Sequence, residues 1–127
     1  MTQRLGAVTF LVRDYDEAIG WFQQALDFAL IEDTPLGGGK RWVLVGPDGG
    51  SPLLLAKADG AEQEAAIGRQ AGGRVAFFLH TDDFAAGHKR MIGAGVVFRE
   101  DPRHEAYGTV AVFEDLYGNP WDLIEPK

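Results

Sequence analysis

The hydrophobic pattern changes period several times along the chain. LGAVTFLV (5–12) is a short apolar run that predicts a strand. Asp14, with Glu17 three residues later, predicts a helix N-cap and capping box. The helix should run to about Asp27, with Ala18, Phe22 and Leu26 at helical spacing and Ile19 and Trp21 widening the stripe. FALIEDT (28–34) predicts a strand, PLGGGK (35–40) a turn and RWVLV (41–45) a strand. PDGGS (47–51) is a hairpin signal, and PLLLAKA (52–58) returns as a further strand. The first half of the chain therefore reads βαβββ.

Residues 59–73, DGAEQEAAIGRQAGG, interrupt this with four glycines around a piece long enough for one or two helical turns, and predict a linker. The order then repeats. RVAFFLHT (74–81) predicts a strand, and Asp83 caps a helix running to about Gly93, with Phe84, Met91 and Ile92 as core candidates. GVVFRE (95–100) predicts a strand, DPRHEAYG (101–108) a loop, TVAVFED (109–115) a strand, and PWDLIE (120–125) a last strand after the turn at LYGN. Ala7 aligned with Ala76 brings Asp14 onto Asp83 and Tyr15 onto Phe84, and Gly50 and Pro52 fall on Gly118 and Pro120 near the module ends. This is a tandem duplication. The predicted fold is α+β: two βαβββ modules, residues 1–58 and 74–127 joined by linker 59–73, forming a curled mixed sheet with a central cleft.

Composition narrows the function classes. The 127 residues carry a formal net charge of -7, and their Lys and Arg are scattered, which argues against a nucleic-acid partner and against an anionic membrane surface. The absence of cysteine removes thiolate nucleophiles and zinc-thiolate sites. No apolar run reaches the roughly 20 residues of a membrane span, and no signal-peptide pattern precedes the first strand. A cytoplasmic protein is the expectation. The Gly-rich loops at 37–39 and 72–73 lack the Gly-Lys-Ser/Thr ending of a phosphate loop. No nucleophile-elbow motif supports hydrolase chemistry.

The duplicated module, the opening VRDYDEAIGWFQQALDF and the closing FEDLYGNPWDLIE resemble the vicinal oxygen chelate superfamily, which includes glyoxalase I, bleomycin-resistance proteins and extradiol dioxygenases. Leu116-Tyr117 stands where that family's closing motif usually has Pro-Asp. The resemblance implies a cleft with metal ligands on the first and fourth strand of each module. Those positions here are Ala7, Leu54, Ala76 and Asp122. Three of the four cannot coordinate, and a divalent ion needs about three or more protein ligands. The usual metal site is therefore expected to be absent, and no cofactor is predicted. Small proteins of this family pair, so a homodimer is expected.

Asp122 poses the sharpest question, because a carboxylate in an apolar strand costs free energy unless it has a partner. Strand alternation puts Thr9 and Leu11, Phe78 and His80, and Asp122 and Ile124 on the cleft side. Trp42 reads either as a core aromatic or as a stacking wall, and Tyr107 in the 103–108 loop as a phenol at the cleft mouth. His88 reads as solvated. The expected ligand-binding set is Thr9, Trp42, Leu54, Phe78, His80, Tyr107 and Asp122. Two functions fit it. One is a binder of a small apolar or aromatic molecule, like a bleomycin-resistance protein without metal. The other is a lyase or dioxygenase-type enzyme using an atypical site such as His80, Asp122 and Glu105, or a metal-free His80/Asp122 pair.

Overall fold

The computed structural model describes residues 1–127. The chain divides into two compact units, Met1–Ile67 and Gly68–Lys127. Each holds a four-stranded mixed sheet with a helix against one face, so the α+β class and the tandem modules are both observed.

In the first unit β1 (Val8–Val12) leads into α1 (Tyr15–Leu26), followed by β2 (Ala29–Gly37), β3 (Lys40–Gly46), β4 (Leu53–Lys57) and the short α2 (Ala61–Ala66). The strand order is β1-β4-β3-β2, with β1 parallel to β4 and the other pairs antiparallel. Asp14 caps α1 by accepting the Glu17 N–H at 2.8 Å, while the Glu17 carboxylate meets Arg13 at 2.6 Å. Asp27 ends the helix at φ 57°, a left-handed conformation rare for a residue with a Cβ. One face of α1 (Ala18, Ile19, Phe22, Ala25) lies on the sheet side formed by Phe10, Val12, Val43, Val45, Leu53 and Leu55, all buried. Phe22 is edge-on to Phe10 and stacked on Phe28. Residues 38 and 39, both glycines at positive φ, make the two-residue β2–β3 turn, so β2 runs three residues past its predicted end.

The second unit repeats the plan with β5 (Phe77–His80), α3 (Phe84–Gly93), β6 (Arg103–Glu105), β7 (Gly108–Glu114) and β8 (Pro120–Pro126), in the order β5-β8-β7-β6. Asp83 caps α3 through the Ala86 N–H. Phe84 and Met91 are buried as expected, but Ile92 is 51% exposed because it falls on the outer face of the helix. His88 is not simply solvated: its ring packs between Phe84 and Phe98, 5.5 and 4.4 Å away.

The outer strand of this unit corrects the sequence reading. Residues 95–100 form no strand beyond the single bridge Phe98–Phe113, and strand β6 lies inside the segment read as a loop. Pro102 lacks an N–H and cannot continue the ladder. The Glu100 side chain fills the gap by accepting the Val112 N–H at 2.8 Å.

Candidate functional site

The residues singled out in the sequence fall into two sets, one in each unit. In the first unit Thr9 on β1 and Leu54 on β4 are direct neighbours in the parallel ladder, and Leu54 in turn faces Leu44 on β3. Their side chains lie on the sheet face away from α1, shared with Trp42. Trp42 is 40% exposed, which rules out the core-aromatic reading. Ala7 precedes β1 by one residue.

A second feature of this unit was not visible in the sequence. The β3–β4 ladder covers only Val43–Val45 against Leu53–Leu55, whereas β3 pairs with β2 out to Lys40 and β4 with β1 out to Lys57. The two inner strands part beyond Val43. The Tyr15 hydroxyl, from the first turn of α1, accepts the Arg41 N–H at 3.2 Å in place of a β4 carbonyl. The Arg41 guanidinium lies over the Tyr15 ring at 5.1 Å and is held by Asp33 at 2.6 Å and Asp16 at 3.0 Å. These contacts hold Asp33 below the usual carboxylate range, mainly through the Arg41 hydrogen bond. A cavity of about 540 Å³ opens where the strands part, with Trp42 and Leu54 in its lining.

In the second unit Phe78 and Asp122 are neighbours across β5 and β8, and Asp122 faces Val112 on β7. His80 lies two residues along the same face, next to Ile124. Phe78 is 62% exposed, His80 is exposed, and Ile124 is buried. Asp122 is half-buried, and its Oδ1 is shielded from solvent without a hydrogen-bond partner. Burial pushes its carboxyl above the ordinary value, the Arg103 charge pulls it back, and Glu100 pushes it up again. Arg103 is itself committed: its Nε donates to Glu100 and its Nη1 to Glu105, each at 2.8 Å, and the Tyr107 phenol also engages it. Tyr107 itself is 56% exposed at the β6–β7 turn.

A buried polar node stands behind this face. Asp115 accepts hydrogen bonds from Tyr117 N–H, Asn119 N–H, Asn119 Nδ2 and Trp121 Nε1, at 2.9–3.2 Å. The Asn119 Oδ1 accepts the Gln70 N–H at 2.9 Å. Asp115 and Asn119 are 5% and 0% exposed. Burial pushes the Asp115 carboxyl up, against the pull of the Trp121 and Asn119 hydrogen bonds. Asp115 and Asn119 therefore build the turn that sets β8, and with it Asp122, in register. Asp and Asn four apart around a Gly was the available signal for it.

Residues 4–123 match the glyoxalase/bleomycin resistance protein/dioxygenase superfamily. The chain belongs to this superfamily. It is 52% identical over 98% of its length to an uncharacterized protein of Shewanella frigidimarina, of which it covers 95%. Among solved structures it is similar to UcmS2, at TM-score 0.83 and 32% identity, covering 98% of this chain and 99% of that one. It is also similar to TnmS3, an antibiotic binding protein from Streptomyces sp. CB03234, at TM-score 0.78 and 26% identity, covering 99% and 98%. The metal site that the superfamily implies does not fit the residues of this chain. No group of three or more His, Cys, Asp or Glu side chains is placed to hold an ion, and the implied ligand positions carry Ala7, Leu54, Ala76 and Asp122.

Proposed function

We propose that this superfamily member binds a small apolar or aromatic molecule on the helix-free sheet faces that carry Thr9, Trp42 and Leu54 in the first unit and Phe78, His80, Tyr107 and Asp122 in the second. One observation carries the reading. Around the four implied metal-ligand positions the chain presents solvent-open aromatic surface, Trp42 and Phe78, rather than a convergent set of donors. Large aromatic faces with a few polar groups suit small-molecule capture. That TnmS3 is an antibiotic binding protein is in keeping with it. The Asp122 carboxylate is the polar anchor of this reading, through the oxygen that remains reachable.

The metal-free form of the enzyme alternative draws no support from the geometry, since His80 sits opposite Ile124 and no hydrogen bond joins it to Asp122. We further propose a cytoplasmic homodimer. All nine residues of the edge strand β2 are exposed, and such an edge is open to pairing. Residues 59–73 serve in this proposal as the connector between the modules.

The test is a thermal-shift screen of uncharged and charged aromatic compounds against the wild type, Phe78→Ala and Asp122→Asn. A ligand present at 100 times its Kd should stabilise the native state by about 2.7 kcal/mol. Hits that lose stabilisation in both variants support the reading. Hits insensitive to both variants, or none at all, refute it.

A further inference from the structure

We propose that the cavity of the first unit binds neutral molecules in which a secondary amide is joined to an aromatic group, the amide taking the place of a missing rung between β3 and β4. The inference rests on the small-molecule reading above and names the ligand chemistry that reading leaves open. The β3–β4 ladder stops at Val43 against Leu55, and the next hydrogen-bonded pair along it would be Arg41 with Lys57. That pair does not form. The Ala58 N–H donates to the Val12 carbonyl at 2.9 Å, so β1 takes the backbone groups of Ala56 and Ala58, and those of Lys57 point toward β3. The Arg41 N–H points back toward β4 and is accepted by the Tyr15 hydroxyl. The Lys57 N–H, the Lys57 carbonyl and the Arg41 carbonyl are left with no partner in the chain. One donor and two acceptors, set out as a strand offers them to its neighbour, match a peptide-type group.

Arg41 and Lys57 both line the cavity of about 540 Å³, the size of an ordinary small-ligand pocket. Trp42 and Leu54 line it from the helix-free side of the sheet, so the half-exposed indole stands beside the missing rung. The charges around the cavity balance. Lys40, Arg41 and Lys57 stand against Asp59 in the lining and against Asp16 and Asp33 on the Arg41 guanidinium. Three cations to three carboxylates leave no net charge to select an ion, so the neutral backbone groups are the selective element. They belong to strands already fixed by their outer neighbours, β2 and β1, which limits the ordering cost of binding.

Two probes of one shape separate the outcomes: N-methyl-2-naphthamide and methyl 2-naphthoate, which differ in an N–H against an ester oxygen, titrated by calorimetry. The wild type should bind the amide about fivefold more tightly, the worth of one net hydrogen bond. Trp42→Ala should weaken both probes. Lys57→Pro removes the backbone N–H without breaking a ladder bond, and Lys57→Ala removes only the ammonium. Lys57→Pro should bind the amide about fivefold more weakly than Lys57→Ala does. Circular dichroism checks the fold of each variant. If Lys57→Pro does not fold, the Lys57 amide proton of the wild type, followed by NMR, must shift on adding the naphthamide. Equal binding of the two probes, equal affinity of the two Lys57 variants, or an unmoved Lys57 proton overturns the inference while the small-molecule reading stands. If neither probe binds, the inference falls, and the reading falls with it only where the thermal-shift screen also gives no hit.

Discussion

Replacing Asp115 tests whether a buried carboxylate holds the last turn together or weakens it. Two effects compete. Asp115→Ala strands four donors: two backbone N–H groups, the Asn119 amide and the Trp121 indole N–H. Each buried donor left without an acceptor costs about 1–3 kcal/mol. Against this stands the cost of burying the charge, which is why the carboxyl is pushed up. With four donors lost, the hydrogen bonds should win, at a net loss of about 4 kcal/mol after relaxation and water entry. That is a large share of the roughly 5–15 kcal/mol that small domains possess. In urea, with a slope of about 2 kcal/mol/M, the midpoint should fall by about 2 M, read by tryptophan fluorescence. Asp115→Asn keeps one acceptor oxygen but turns an NH₂ toward donors, so about 1–3 kcal/mol should be lost. A midpoint for Asp115→Asn at or above the wild type, or a shift under about 0.5 M for Asp115→Ala, would show that burial outweighs the bonds and refute the reasoning.

Asp122 has a pH signature of its own. Its carboxyl is raised in the folded state, so the stability it permits is fully present below its unfolded value and is lost as pH rises through the folded value. Asp122→Asn should therefore gain on the wild type between pH 3 and pH 7, and a pH-independent difference in urea midpoints would contradict this. Gly108→Ala should be strongly destabilising, by about 3 kcal/mol or more, because φ is 151° and the new Cβ would collide with the Glu125 carbonyl oxygen; a thermal melt checks it, with Gly38→Ala, which meets no atom, as the milder comparison. Tyr15→Phe should cost about 1 kcal/mol by removing the acceptor of the Arg41 N–H, with protection of that amide against hydrogen exchange falling in parallel. Titration of the purified protein with nickel, manganese, iron(II) and zinc should show no tight one-to-one binding; a tight site lost in Asp122→Ala would restore metal-assisted chemistry.

The sequence by itself determined the elements whose signals are local. Asp14 and Asp83 cap their helices because a carboxylate two or three residues from a free N–H needs nothing else. The buried stripe of α1 follows from spacing, and the equivalence of Leu54 and Asp122 follows from the repeat; that Leu54 stands beside Thr9 and Asp122 beside Phe78 is seen only in the folded sheets. Tertiary structure alone decided what depends on partners distant in the chain. Ile92 is periodic yet faces water, because no element covers that side of α3. The outer strand of the second unit moved from 95–100 to 103–105, because pairing with β7 and the break at Pro102 outweighed strand propensity. Tyr15 accepts the Arg41 N–H 26 residues away where the first sheet opens, and Arg103 is held by Glu100 and Glu105. Propensity and spacing act over a few residues. The Asp122 oxygen left without a hydrogen-bond partner is set by which side chains the folded sheet brings together, and by which of them already have a partner.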